Sequence, residues 1–596
     1  MLVAAFGAVS PASAAEPVLE AGLRAEAAGR WADAVAVYER SVHAEPAQAH
    51  LWERIADIRA TRLGDPTGAI RALKQAVKHA PDDARLHAKL SRAHATVNQP
   101  ADALAAIERA AELAPNSVDY LRARAELAAW IGNYGVALDS YDRLLAIDPN
   151  DSGALLASAR VSHWSGDLAS SEKAYRAYIR RQVDAETACI ELSGVVSEQG
   201  DFARAIDTLN ECRDRFNDSF ALRKQTARVL ARAQRPTRAL ALVAELSANA
   251  EDYELGYTEA LALHHAHRTR EALNQLAYVT ALRPRSRETR DLARFIRTPQ
   301  RSSVTFDTGY TTSSDDITLK SIGGDGQWVL TPETRLLGAV NRQRISARPG
   351  SAYERVDGGA SIDYDRVVLG IQHRLTPALS FDVRTGRGRT AESSRLVYVL
   401  GIDLQPSDEL SLRLSRQQDL VTVSPRAASR GIERRANILD VSWSPDFLNT
   451  VVSRLAYDRY SDGNNRWEVQ MTPRRAILRT QRFNLDLGVT GIWFGFDRDP
   501  SNGYYAPSRY QRLAVSAFAY WKLSDDDGVS VALTLGPYKD NTMHSTKMGG
   551  DLSAEGYFGV YRDWLFKVRA AVSDYGGGAI GAYRARRLEL SLVRRF

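Results

Sequence analysis

The chain has 596 residues, 44% of them hydrophobic and 25% charged, with a formal net charge of +6 and two cysteines. That length divides into two or more folded units, and the composition is too apolar for a disordered chain. Two cysteines exclude a disulfide-rich scaffold, a cysteine-ligated iron–sulfur cluster and a four-cysteine zinc site.

The basic excess is uneven. Residues 1–300 hold 38 Lys and Arg against 39 Asp and Glu, whereas residues 301–596 hold 40 against 33, and only 5 of those 40 are lysines. The arginines are scattered through strand-like stretches and do not form the short basic blocks of a nucleic-acid surface, so no nucleic-acid partner is expected.

An apolar run from Leu2 to Val9 leads into Ala12, Ser13, Ala14 and Ala15, just before Glu16. This is the back half of a secretory signal peptide without its basic front, and it predicts a signal segment at 1–15 and export of the chain from Glu16 onward. No stretch of 18 apolar residues comes after it, so no helical membrane span is expected.

Prolines recur at Pro46, Pro81, Pro115 and Pro149. Small residues recur in the same register at Ala34, Ala69, Ala103, Ala137, Ser171, Ala205, Ala239 and Ala272. A third mark, Gly–Asp/Asn–aromatic or Leu, stands at Gly132-Asn133-Tyr134, Gly166-Asp167-Leu168 and Gly200-Asp201-Phe202. A period of 34 residues over paired amphipathic helices is the signature of tetratricopeptide repeats. It predicts an α-helical solenoid of about eight units over 16–285. Small residues let the paired helices approach, and Tyr38, Tyr141 and Tyr175 fill the grooves.

Cys189 and Cys212 each lie in an apolar helical pattern that favours a buried free thiol, with a disulfide as the alternative in an oxidising compartment. Trp31, Trp52, Trp130 and Trp164 fall where repeat cores are expected. His264, His265 and His267 are close in sequence but lack an acidic partner, which argues against a metal site.

A polar linker helix over 286–302 precedes a change of period to two near Ser303. Alternating stretches include Val304–Tyr310, Val397–Ile402, Leu410–Ser415, Val515–Tyr520 and Val529–Leu535. In the closing stretch Leu588, Leu590 and Leu592 share one face and Glu589, Ser591 and Val593 the other. Turns such as Ser461-Asp462-Gly463-Asn464-Asn465 and Asp525-Asp526-Asp527-Gly528 separate them. A propeller would show a blade repeat of about 40 residues, and none is present. Strands of about 9–12 residues, Tyr and Trp near their ends, arginines within strands and an export signal favour a C-terminal transmembrane antiparallel β-barrel over 303–596. About 18 residues per strand and turn predicts about 16 strands, with 14 as the nearest alternative.

Arg342, Arg344, Arg384, Arg387, Arg413, Arg454, Asp458, Arg569 and Arg586 are the candidate lumen-lining residues, since charges within strands are cheaper in a wet lumen than in lipid. A register slip of one residue would invert any of these assignments. Arginines at the outer rim would also suit lipopolysaccharide phosphates. No catalytic constellation stands out: the second half holds only His373 and His544, and Asp525, Asp526 and Asp527 read as a solvated turn. No enzyme activity, cofactor or metal is expected.

An exported repeat array in front of a C-terminal barrel resembles the outer-membrane exopolysaccharide export proteins: the poly-N-acetylglucosamine export porin and, more distantly, the cellulose synthase C subunit and the Pel secretion B subunit. The most specific local match is Gly503-Tyr504-Tyr505-Ala506-Pro507-Ser508-Arg509-Tyr510, which is similar to the Tyr/Phe–x–Pro–x–x–Tyr segment before a late barrel strand in that group. The resemblance implies that Tyr504, Tyr505, Pro507 and Tyr510 form an aromatic landing near a channel mouth, girdle aromatics being the plainer reading. It also implies that Phe596 serves as the barrel insertion signal. It implies an outer-membrane porin that passes a nascent exopolysaccharide, with periplasmic repeats as scaffold. The partners implied are the polymer, periplasmic or inner-membrane synthase and modifying proteins, outer-membrane lipid and lipopolysaccharide, and the barrel assembly machinery. The alternative is a barrel-anchored protein-binding scaffold or receptor without polymer transport. A simple diffusion porin would need no repeat array.

Overall fold

The computed structural model describes residues 15–181, 185–246, 252–574 and 584–596. The expected signal segment lies outside them except for Ala15. Among the described residues sixteen helices follow one another as eight helix–turn–helix units. They are α1 (Ala15–Ala27) with α2 (Trp31–Ala44), α3 (Ala49–Thr61) with α4 (Pro66–His79), α5 (Ala84–Thr96) with α6 (Pro100–Leu113), and α7 (Val118–Trp130) with α8 (Tyr134–Ile147). The remaining pairs are α9 (Ser152–Ser165) with α10 (Leu168–Arg181), α11 (Glu186–Glu198) with α12 (Phe202–Phe216), α13 (Phe220–Arg232) with α14 (Pro236–Leu246), and α15 (Tyr253–His265) with α16 (Thr269–Leu282). A further helix, α17 (Arg287–Arg297), comes after the last pair. The chain divides into two compact units, Met1–Val195 and Val196–Phe596.

The eight small residues of the repeat mark, Ala34 through Ala272, are all buried. The turns inside the pairs share a second constraint. Gly29, Gly64, Gly132, Gly166 and Gly200 have positive φ, and so do Asn98, Gln234 and His267 at the matching positions. Each pair thus turns on one left-handed residue, which Gly adopts freely and Asn or His tolerates better than a branched side chain. Side chains of Asp65, Asp83, Ser117, Asn133, Asp151, Asp201, Ser219 and Asp252 accept backbone N–H bonds at helix starts, satisfying donors that have no partner within the helix. Tyr38, Tyr141 and Tyr175 are buried as expected. Gly22 is required beneath Tyr38, since a Cβ there would stand 2.1 Å from the ring.

Two expectations for the helical half are corrected. Trp31 and Trp52 pack against the repeat core, but Trp130 and Trp164 are each 57% exposed. Trp130 follows Ala128 by about 200° around α7, away from the buried stripe. Both cysteines are buried and disulfide-bonded, not free thiols.

Sixteen strands close into one antiparallel barrel in which every strand pairs with its sequence neighbours and β1 also pairs with β16. They are β1 (Ser303–Ser313), β2 (Thr318–Val329), β3 (Thr334–Ser346), β4 (Ser361–Thr376), β5 (Leu379–Arg389), β6 (Ser394–Leu404), β7 (Leu410–Leu420) and β8 (Glu433–Trp443). The second eight are β9 (Asn449–Tyr460), β10 (Asn465–Arg479), β11 (Phe483–Phe496), β12 (Tyr510–Lys522), β13 (Asp527–Asp540), β14 (Lys547–Phe558), β15 (Trp564–Ser573) and β16 (Ala585–Arg595). Strand lengths reach 16 residues in β4, longer than the sequence predicts.

One end carries turns of two to five residues; the other carries long connections at 347–360, 421–432 and 497–509, the second including the short helix α18 (Pro425–Ser429). Large apolar side chains, among them Phe306, Ile322, Val340, Val367, Leu414, Val515, Leu533 and Leu588, are exposed on the outer wall. Such a band on a closed barrel is what a lipid bilayer covers.

Candidate functional site

Residues directly paired across neighbouring strands share a face, so the register assigns every strand side chain to one wall. Arg413 on β7 pairs with Asp403 on β6 and Asp440 on β8, while the adjacent Leu414 is exposed outside; Arg413 therefore faces inward. Its guanidinium bonds Asp403 at 2.7 Å and reaches over β6 to the fully buried Asp382 on β5 at 2.6 Å. Gly401 makes that span possible, since a Cβ there would stand 2.3 Å from Asp382 Oδ1. Arg384 adds a third cation–carboxylate contact, 3.2 Å from Asp382. Farther round, Arg454 bonds Asp440 at 2.7 Å, and the buried Asp458 accepts from Arg434 and Arg466 at 2.9 and 3.0 Å. Arg569 lies between Glu555 and Glu589 at 3.6 and 3.8 Å. The inner wall is thus a girdle of paired charges, in which the buried Asp382 and Asp458 are each held by two arginines.

The register places Arg384, Arg413, Arg454, Asp458 and Arg569 inside and corrects the other four lumen candidates. Arg342 and Arg344 stand in phase with exposed Leu336 and Val340 on β3. Arg387 pairs with exposed Val367, and Arg586 with exposed Val572. These four point outward. The signal was present in the sequence: Arg586 has the parity of Leu588 and Leu592, and Arg384 and Arg387, three residues apart in one regular strand, cannot share a face.

The tyrosines of the 503–510 segment are neither an open landing nor a lipid girdle. Tyr504 stacks on Tyr460 at 5.1 Å and donates to Asp462 at 2.8 Å. Tyr505 donates to Asp540, the Pro507 carbonyl accepts from the Phe496 amide at 2.9 Å, and Tyr510 stacks on Phe494 at 4.5 Å. They belong to a buried aromatic cluster with Val421, Ala427 and Ile432 of the β7–β8 connection. Ser424 Oγ donates to the Gly503 carbonyl at 2.5 Å. Gly503 has φ +87°, and a Cβ there would stand 2.6 Å from that hydroxyl. Two long connections are thereby locked together over this end of the barrel. Phe596 is exposed, and its amide donates to the Ser302 carbonyl beside the β1–β16 seam.

At the short-turn end, α14 to α17 form a collar on the barrel. Arg235, almost fully buried, donates to the carbonyls of Asp408, Ser444 and Asp446 at 2.9 to 3.2 Å and lies over the Phe447 ring. The Thr237 amide and hydroxyl donate to Asp408. Arg270 pairs with Glu333, Arg294 with Asp526 and Arg301 with Asp563. A polar vestibule of about 690 Å³ lies between collar and turns, lined by His264, His265, His267, Arg335, Arg374 and Gln405 among others. Sequence reasoning missed the collar because Arg235 recognises backbone carbonyls some 170 to 210 residues away, which leave no side-chain pattern.

The three histidines belong to this vestibule. His267 is the left-handed turn residue of the last pair and meets Gln405 at 3.1 Å. His264 packs edge-on against Phe295 of α17 at 4.8 Å. Burial, then the neighbouring His264 and His267, push the His265 imidazole down to about 4. Among the described residues no group of three His, Cys, Asp or Glu side chains could hold a metal ion, and no helix is long and apolar enough to cross a membrane.

Tetratricopeptide-repeat families match residues 19–84 and 60–127. No curated protein matches the chain. Among solved structures, a bacterial polysaccharide outer-membrane secretin is 13% identical, with a TM-score of 0.43, over 50% of this chain and 99% of that one. A tetratricopeptide repeat protein from Parabacteroides merdae is 16% identical, with a TM-score of 0.26, over 42% and 98%. MamA from Desulfovibrio magneticus is 20% identical, with a TM-score of 0.25, over 29% and 97%. A tetratricopeptide-repeat region joined to a closed sixteen-stranded barrel is the architecture of this chain.

Two outcomes are expected. Arg235→Ala strands three turn carbonyls, a loss of about 1–3 kcal/mol, and amide exchange in α14 to α16 should accelerate by about ten-fold or more while the barrel strands keep their protection. Unchanged exchange would show that the collar does not hang on Arg235. Because His265 titrates below its unfolded value near 6.5, the unfolded chain takes up the proton first, and stability falls as pH drops from about 6.5 toward about 4. The thermal midpoint of the helical signal should therefore fall on acidification through that window, and His265→Gln should flatten the dependence.

Proposed function

We propose that the chain is an outer-membrane export porin that passes a nascent exopolysaccharide from periplasm to cell surface, with its helical repeats as the periplasmic scaffold. The observation that carries this reading is the collar: the last repeats are bonded around one end of a closed barrel whose inner wall is polar and outer wall apolar. Short turns on the collar side and long connections on the other are the asymmetry of outer-membrane barrels, short turns facing the periplasm. Disulfide-bonded cysteines fit an oxidising compartment. Sixteen strands are enough to enclose a channel. On this reading Arg384, Arg413, Arg454, Asp458 and Arg569 line the path, and the vestibule receives the polymer from the repeats. A poly-N-acetylglucosamine-like polymer is the finer proposal, with synthase and modifying proteins docking on the repeats.

Deleting the gene should abolish secreted polysaccharide and leave polymer in the periplasm; normal secretion would overturn the reading. The locked long connections favour a second reading, a barrel that anchors a protein-binding scaffold without traffic. Planar-bilayer conductance separates the two. Removing residues 498–506 should raise conductance several-fold above that of the full chain on the export reading, whereas a barrel obstructed along its length would stay closed.

A further inference from the structure

We infer that the outward face of β2 to β5, at the long-loop end, is a binding site for the phosphorylated headgroup of a multiply acylated outer-leaflet lipid. The inference rests on the membrane-barrel reading and adds to it a ligand class and a place. Register brings five cations together there. Lys320 pairs across strands with Arg344, Arg342 with Asp365, Asp365 with Arg389, and Val367 with Arg387. All lie on one wall, over four adjacent strands. Two carboxylates share the patch: Asp365 holds Arg342 in a two-pronged bond at 2.6 and 2.8 Å, and Asp363 stands 3.9 Å from Arg344. Among the described residues Lys320, Arg387 and Arg389 form no ion pair, and the Arg342 and Arg344 side chains are more than 60% exposed. The patch is therefore cationic in excess, with one guanidinium already fixed in place.

The wall below the patch identifies the ligand as a lipid. On the same face, toward the barrel's middle, β3 and β4 expose Leu336, Val340, Leu369 and Ile371. A free phosphate would need only the cations, whereas a lipid uses both levels: phosphates against the guanidinium forks and acyl chains along the apolar row. The opposite arc is built differently. Toward the long-loop end, β10 to β14 turn Trp467, Trp493, Gln511 and Met548 outward, with Lys539 beside them. An ordinary interfacial girdle accounts for those residues, but not for five cations on β2 to β5. Arg416, Arg435 and Arg459 continue the outward cations along β7 to β9 at lower density.

The test uses the full chain in neutral detergent and measures retention of bisphosphorylated lipid A, and of the same lipid after phosphate removal, by native mass spectrometry. The intact protein should retain the phosphorylated lipid about ten-fold or more better than the dephosphorylated one. Arg342→Ala/Arg344→Ala/Arg387→Ala should lose that preference, and Arg475→Ala/Arg594→Ala, which removes outward cations at the other end, should keep it. Heat-modifiable migration shows that each variant is a closed barrel; if the triple variant does not close, Arg344→Ala/Arg387→Ala leaves the Arg342–Asp365 pair in place and carries the test. Equal retention by the patch variant, equal binding of the dephosphorylated lipid, or displacement of the lipid by inorganic phosphate alone would overturn the assignment. Failure of the membrane reading would show separately, as a full chain that stays soluble without detergent, and polymer secretion plays no part in the assay.

Discussion

Closure of β1 on β16 is the constraint from which the second half is built. A strand in hydrocarbon must pair its backbone amides and carbonyls within the sheet, and a closed antiparallel barrel is the sheet without an edge that does so. Once the ring is closed, the register of each strand is tied to both neighbours and no strand can slip alone. Each side chain then has one of two fates, wall or lumen, decided by whether its number is odd or even in that strand. The apolar outer band and the ion-paired girdle inside are the two halves of that one decision.

Glycines permit the interior to be charged and still packed. Arg413 meets Asp382 only because the strand between them offers Gly401, and Tyr364 on β4 reaches Asp419 on β7 over Gly388, where a Cβ would stand 2.3 Å from the phenol oxygen. With two carboxylates, a lumen arginine such as Arg413 becomes a cross-brace between strands.

Much of this was legible in the sequence, and the illegible parts share a cause. The repeat period could be read because one small residue per pair is packed at the same place, so a single physical demand recurs along the array. The strand count could be read because turn chemistry punctuates an alternating pattern. Lumen lining is less legible because, near strand ends, both faces are polar: Arg342-Gln343-Arg344 carries no apolar residue to mark its outer wall, and parity has to be carried up from Leu336 and Val340. Trp130 and Trp164 mislead because their size suggests core. Each stands two residues, about 200°, beyond a buried position, Ala128 and Ser162 respectively, and so lies on the far side of its helix. The collar was not legible at all, since it joins a repeat turn to backbone carbonyls whose position depends on the closed barrel.

The two ends of the barrel are built on opposite principles, and the contrast bears on transport. At the collar end the contacts are ionic and carbonyl bonds around a polar vestibule, many of them half-exposed, which water can replace as parts shift. At the long-loop end the 421–432 and 497–509 connections are fastened by a buried aromatic cluster and by Ser424 on Gly503, contacts that water does not replace. On the export reading, the polymer enters through the adaptable end and meets the fastened one last. Opening there would have to expose aromatic surface unless the polymer covers it, and pyranose rings, with apolar faces and polar edges, are suited to stack on tyrosines in that way. The cluster would then close the barrel when it is empty and give way only to a chain that replaces its contacts.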